Sequence, residues 1–379
     1  MNFRLLFLAL IFFISQLDTR AQLAPKYSNE FLNVGVGARA LGMSLAQVAS
    51  VQDVTAGYWN PAGLLGIKSD LQIAAMHSEY FAGLAKYDYA AVGKMIDSVS
   101  AASISFIRFG VDDIPNTTEL IDPSGAINYD RITKFSAADY AFLLSYGRKG
   151  FPLRKSSSLN NLSLYNPADG RIQGFRWGVT AKIIYRQVGN FARAWGFGLD
   201  AGAQYDRGRW HFGASLRDVT STFNAWSYNL SDQMKQTFSL TQNDIPSNGL
   251  EVTLPRLIVG AARDFQYRKM SFLAEANAMI TTDGKRNVLV SAKPFSIDPY
   301  LGGEAVYNKL FSLRAGVGNI QRIKEFDESK SLTMQLSVGV GLRIRQLHID
   351  FSMSSAGNTN SIPRSQIFSL RYDIYKNKS

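Results

Sequence analysis

The sequence predicts an all-β chain, a transmembrane antiparallel β-barrel of about fourteen strands. Three observations carry this. Runs of roughly ten residues alternate apolar and polar side chains with a period of two, which puts all the apolar residues of a run on one face. The composition is 46% hydrophobic and 12% aromatic, with 31 Gly and only 11 Pro among 379 residues. Finally, after an N-terminal leader no segment approaches the ~20 consecutive apolar residues that a transmembrane helix needs.

The leader is MNFRLLFLALIFFISQLDTRAQ. Arg4 provides a positive start, Leu5 to Ile14 an unbroken apolar run, and Thr19–Arg20–Ala21 a small-residue cleavage pattern. Ten apolar residues suit a secretory signal and are short for a span. The expectation is a signal peptide over 1–21 and export from the cytoplasm. The chain has no Cys, which excludes lipoprotein acylation, disulfides and thiolate metal sites.

The strands follow from the alternation. In RWGVTAKIIYR, Trp177, Val179, Ala181, Ile183 and Tyr185 share one face, with Arg176, Thr180 and Lys182 on the other. WGFGLDAGAQYD and WHFGASLR repeat the pattern. LTMQLSVGVGLRIR is the longest run, from Leu332 to Ile344. Aromatic residues end the apolar faces, as in a lipid-facing wall with aromatic girdles. The polar faces combine glycine with both signs of charge. Arg176, Lys182, Asp200, Glu275, Arg314, Asp350 and Arg371 are the expected lumen network, the carboxylates pairing with arginines across a narrow interior.

Strands are expected near 70–79, 86–96, 98–108, 137–147, 175–187, 195–206, 209–217, 256–265, 269–281, 298–307, 310–319, 331–344, 346–355 and 365–375. The even number puts both termini on one side, expected to be periplasmic. Tight turns at 96–98, 206–209, 265–269, 307–310 and 344–347 alternate with longer connections at 109–136, 218–255, 282–297, 320–330 and 356–364. Short turns on one side and long loops on the other are what such barrels show. The basic, Ser- and Asn-rich stretch 148–174 breaks the alternation and reads as a tolerated insertion or, given its length, as a docking element for a periplasmic partner.

The segment EFLNVGVGARALGMSLAQVASVQDVTAGYWNPAGLLG, Glu30 to Gly66, resembles the N-terminal signature of the PorV/PorQ family, a branch of the FadL-like outer-membrane barrels. The matching positions are Phe31–Leu32, Gly37 to Met43, Ala56, Tyr58 and Asn60–Pro61–Ala62–Gly63. The family usually has two glycines after the Met; here Ser44–Leu45 stand instead. The resemblance implies an N-terminal hatch, residues 22–69, folded into a barrel of residues 70–379. Its residues would include Gly37, Arg39, Gly42, Met43, Trp59, Asn60, Pro61 and Gly63. Asn60 would cap the turn that Pro61 begins.

Other chemistry is weakly supported. The glycine runs GFGLDAG and GVGVGLR lie inside alternating strands and open no helix, so they are not phosphate loops. The three His, at 77, 211 and 348, are isolated in strands; His211 and His348 read as lumen or rim hydrogen-bonders. No constellation supports catalysis, a metal or a cofactor. The net charge of +11 is scattered rather than clustered with aromatics, which argues against nucleic acid and for contact with anionic lipid or lipopolysaccharide phosphate.

Aromatic residues in polar loops are typical of interfaces. Tyr80, Phe81, Phe223, Trp226 and Tyr228 are therefore the expected partner-binding loop residues. The resemblance implies a non-enzymatic role in the type IX protein secretion system: outer loops dock secreted cargo or a large translocon barrel. The alternative is a FadL-like channel for hydrophobic small molecules. That alternative predicts an apolar pocket bordering the hatch and a strand kink near it.

Overall fold

The computed structural model describes residues 28–121, 125–150, 165–166, 171–172, 174–292, 294–324, 330–355 and 365–376. The expected signal peptide lies outside the described residues. So does most of 148–174, of which a two-residue ladder joins Tyr165–Asn166 to Arg171–Ile172.

Fourteen antiparallel strands close into a barrel. In chain order they are β1 (Leu71–Tyr80), β2 (Ala85–Met95), β3 (Ser100–Asn116), β4 (Thr133–Lys149), β5 (Gly174–Val188) and β6 (Ala192–Arg207). β7 comes in two pieces, Trp210–Arg217 and Thr222–Tyr228, and so does β8, Gly249–Thr253 and Arg256–Tyr267. There follow β9 (Met270–Thr281), β10 (Ser296–Tyr307), β11 (Phe311–Lys324), β12 (Lys330–Ile344), β13 (Leu347–Ser355) and β14 (Ser365–Ile374). Each strand pairs with its neighbour in sequence, and Leu71 opposite Ile374 closes the ring. Closure leaves no strand edge, which hydrocarbon could not satisfy. Among the described residues no helix is long and apolar enough to cross a membrane.

Some strands outrun the alternation that revealed them. β3 continues to Asn116 and β4 starts at Thr133, so the connection expected at 109–136 shrinks to 117–132. The extension is polar outside, with Lys134 of β4 3.2 Å from Asp113 of β3. Backbone pairing continues there after the apolar face has stopped, which a reading based on hydrophobicity cannot see. The same holds for β11, which reaches Lys324 through a bulge between Gly318 and Gln321.

The outer wall carries aromatic rows near both ends. On the long-connection side Tyr140, Tyr185 and Trp195 lie side by side on β4, β5 and β6, with ring centroids 6.1 and 4.7 Å apart. On the side of the termini Tyr205, Trp210, Tyr267, Tyr307 and Tyr372 are exposed.

Residues 28–67 run inside the ring, where Val36, Met43, Val51, Ala56 and Leu64 are buried. The glycines of the lumen face receive them. A Cβ on Gly178 of β5 would fall 2.6 Å from the Pro61 carbonyl carbon, and one on Gly213 of β7 2.4 Å from the Val48 oxygen. Gly147, Gly302, Gly316 and Gly339 likewise meet inner backbone, while Gly202 faces the side chains of Asn60 and Pro61 and Gly260 those of Val48 and Asn277. Several are direct cross-strand partners, Gly147 with Gly178 and Gly178 with Gly202. The glycines of the polar faces thus form a belt whose missing side chains leave room for the inner backbone.

Candidate functional site

Local sequence explains the shape of the inner segment. Pro61 starts a 3-10 turn, Pro61–Gly66, and the Asn60 side chain accepts from the Ala62 N–H at 3.3 Å. The Asn60 amide also donates to the carbonyls of Val48 and Ala203, both at 3.0 Å, tying two inner turns to β6. A short helix, Ala56–Trp59, presents Tyr58 and Trp59, ring centroids 4.9 Å apart and edge to face. Arg217 of β7 lies over both rings, 4.6 and 5.6 Å from their centroids. It also donates to the Leu32 and Tyr58 carbonyls at 3.2 Å.

The other expected inner residues are buried or lean on the wall. Gly37 (φ 84) opens the helix Ala38–Gly42, and its N–H meets the Met76 sulfur at 2.9 Å. Gly42 passes the backbone of Gly339, and Gly63 leaves no room for a Cβ against the Val51 carbonyl. After Met43, Ser44 (φ 49) and Leu45 (φ 69) both take the left-handed conformation. The turn is kept despite the side chains, at a conformational cost that glycine would avoid.

The lumen face is a set of ion pairs. Arg39 of the inner segment reaches Glu304 at 2.8 Å, Arg314 bonds Glu304 at 2.7 Å, and Arg314 reaches Asp350 at 2.6 Å. Arg371 bonds Asp53 of the inner segment and His348. Burial alone would raise the Asp53 pKa, but Arg371 and a bond from Thr55 hold it below its ordinary value. Arg176 bonds Asp206 at 2.7 Å, whose other oxygen takes His211 at 2.9 Å. Lys182 contacts Asp200 at 2.7 Å and Asp218 at 2.5 Å. Glu275 departs from expectation: it accepts from the Ala49 N–H at 2.8 Å and not from an arginine. A lumen filled by backbone offers amide donors, which a reading of the strands alone does not include.

Above the inner segment, on the side of the long connections, is a cavity of about 540 Å³. Phe31, Val34, Leu41 and Leu45 form its floor. Tyr80, Phe81 and Phe109 make one aromatic flank. Asn319, Gln321 and Gln335 from β11 and β12 stand among the polar lining, with Met279, Arg286 and Asp298 between. A volume of this size suits a small ligand.

Beside this cavity the wall is broken. β7 stops at Arg217 and resumes at Thr222, with positive φ at Asp218 (56) and Ser221 (57). The facing strand β8 breaks at Leu254–Pro255, and proline cannot donate to the ladder. Asp218 caps the gap: it bonds Thr222 and Lys182 and lies 3.6 Å from Arg256. The start of the inner segment seals it from within, Ser28 and Asn29 bonding Thr253 at 2.7 and 2.8 Å. A gap of about 10 Å³, bounded by Ser28, Pro255 and Arg256, shares Thr281 and Arg286 with the cavity.

The expected loop residues are not one loop cluster. Phe223, Trp226 and Tyr228 belong to the second piece of β7, paired with β6 and β8. The expected connection 218–255 is thus wall at 222–228 and 249–253 and shrinks to 229–248, because a break with left-handed residues imitates a loop start. Phe223 points outward, while Trp226 donates to Glu251 at 2.6 Å under Arg186. Tyr80 ends β1, and Phe81 follows it in the turn beside the cavity. The carboxamides of β11 and β12 were missed. Their signal is the GNIQ stretch, where alternation slips by a residue.

No protein-family model matches the sequence, and no curated protein matches it. Solved structures do. The toluene transporter TbuX of Ralstonia pickettii aligns over 90% of this chain and 99% of its own, at 12% identity and TM-score 0.52. The monoaromatic hydrocarbon channel CymD aligns over 90% and 98%, at 13% identity and TM-score 0.55. A FadL homologue of Pseudomonas aeruginosa aligns over 90% and 98%, at 13% identity and TM-score 0.52. At such identity the similarity is one of architecture: the chain has the fold of the FadL-like outer-membrane β-barrels.

Proposed function

We propose that this chain is a non-enzymatic outer-membrane conduit for hydrophobic small molecules, closed at rest by its inner segment. The observation that carries the reading is the pairing of a 540 Å³ cavity on an apolar floor with a broken wall at 218–221 and 254–255 beside it. A ligand enters from the long-connection side and settles on Phe31, Leu41 and Leu45. Release follows when Ser28 and Asn29 leave Thr253, so that the ligand passes sideways into the bilayer instead of through the lumen. The neighbours named as toluene and monoaromatic hydrocarbon carriers support this class of cargo. The test is calorimetric titration of the full barrel in lipid nanodiscs with toluene. Saturable binding, lost in Met279→Asp, supports the conduit; partition into lipid alone, equal in empty discs, contradicts it.

A second reading, docking within a type IX secretion assembly, is favoured by a separate observation. The outer face of β1–β3 carries ions where lipid is expected. His77 lies 2.7 Å from Asp88, Arg108 3.5 Å from Asp88, and Lys86 3.8 Å from Asp112. On β2 only Ala90 and Val92 separate Lys94 from Asp88 on that face. This is roughly 15 Å of wall against an apolar band of about 25 Å. Charges on a lipid face are costly, so this side suits a protein neighbour such as a larger translocon barrel, with cargo on the outer loops. Lipopolysaccharide phosphate at Lys86 and Arg108 is the competing partner. Photo-crosslinking from position 90 in intact cells separates them: a large protein adduct supports docking, and none contradicts it.

A further inference from the structure

The lining of the cavity is divided by chemistry. Tyr80, Phe81 and Phe109 stand on one flank, and Asn319, Gln321 and Gln335, with Tyr300 against Gly318, on the other. The carboxamides form a built row: Gln321 donates to Asn319 at 2.6 Å, and Asn319 to Gln335 at 3.5 Å. The bulge between Gly318 and Gln321 aims the row, with Asn319 held at φ 49. A bulge that turns side chains toward a cavity is a recurrent device beside binding sites.

The charged lining has a definite sign. Arg286 is engaged by Asp283 at 2.5 Å and by Glu30 at 3.5 Å. Glu30 and Asp298 add two carboxylates to the same walls. Among the described lining residues, then, the only cation already has acidic partners, and the acids outnumber it. A ligand carboxylate entering here would lose water without gaining a counter-ion and would face like charge. An uncharged amide or hydroxyl would instead find donors and acceptors in the carboxamide row.

We infer that the cavity selects an amphiphile with an apolar body and an uncharged hydrogen-bonding head, and rejects free carboxylates. The inference rests on the conduit reading above. The body lies against Phe31, Leu45 and Phe109, and the head meets Asn319, Gln321 and Gln335.

The experiment is calorimetric titration of the full barrel in nanodiscs at neutral pH with decanamide, decanoate and toluene, corrected by empty discs. The expected result is decanamide bound at least about tenfold tighter than decanoate. Gln335→Leu is expected to weaken decanamide about fivefold relative to toluene. Gln335→Lys supplies a cation and is expected to raise decanoate affinity, a gain that misfolding cannot imitate. Decanoate binding as tightly as decanamide, or a Gln335→Lys variant with unchanged preference, overturns the head-group inference while toluene binding keeps the conduit. Failure of all three compounds to bind overturns both.

Discussion

Gly316 of β11 faces the Met43 peptide so closely that a Cβ on it would fall 2.4 Å from the Met43 carbonyl carbon and 2.6 Å from its oxygen. Backbone on backbone leaves nothing flexible to give way. The expected effect of Gly316→Val is therefore displacement of the inner segment, while the β10–β11–β12 ladders survive. Limited proteolysis of the purified barrel should show new cleavage within residues 28–67. Planar-bilayer recordings should show a larger resting conductance than wild type. An unchanged cleavage pattern and a silent channel would mean that the belt does not seat the segment.

Ser44 carries two costs. It occupies the left-handed region at φ 49, and its buried hydroxyl has no hydrogen-bond partner among the described residues. Ser44→Gly removes both and is expected to stabilise the folded barrel by about 1 kcal/mol. Leu45 shares the conformation but packs against the inner core, so Leu45→Gly is expected to destabilise by about 2 kcal/mol despite the easier backbone. Denaturant midpoints in detergent distinguish them, and a Ser44→Gly midpoint below wild type refutes the strain argument.

Asp53 joins the inner segment to Arg371 of β14. Its pKa is depressed from the ordinary 3.8 by that guanidinium and by Thr55, which together outweigh burial. Its contribution is therefore present above the unfolded pKa and lost as pH falls through the folded one. Attachment of the inner segment should be constant near neutrality and weaken below about pH 4. Asp53→Asn should loosen it at neutral pH and flatten that acid dependence. Thermal melts recorded along an acid series check both.

Asp218 contacts Lys182 and Arg256 across the break in β7. Asp218→Asn leaves two buried cations with less compensation, at a cost of about 3 kcal/mol. Amide hydrogen exchange should rise at 218–221 and at Leu254 before the rest of the wall. Uniform exchange over the whole barrel would instead make Asp218 a general stabiliser without a local role at the gap.

The barrel was legible because a wall between lipid and a polar lumen imposes the period of two, as from Trp177 to Tyr185. Strand number and closure followed from it. Trp59, Asn60 and Pro61 lie inside the ring, but no periodicity pointed to their partners. Four things were not legible. The polar tops of β3 and β4 look like loop because hydrophobicity stops before pairing does. The break at 218–221 looks like a turn, so Phe223 and Trp226 were read as loop residues. The partner of Glu275 is a backbone N–H of the inner segment, and the carboxamide row exists through a bulge. Both depend on tertiary placement.

The central claim is that a hydrophobic ligand rests on the inner segment, inside the wall. Anomalous scattering from crystals soaked in 4-bromotoluene tests it most directly. A bromine peak is expected in the cavity between Leu45, Phe109 and Met279. Bromine found only on the outer wall, with the cavity empty at saturating ligand, would contradict it.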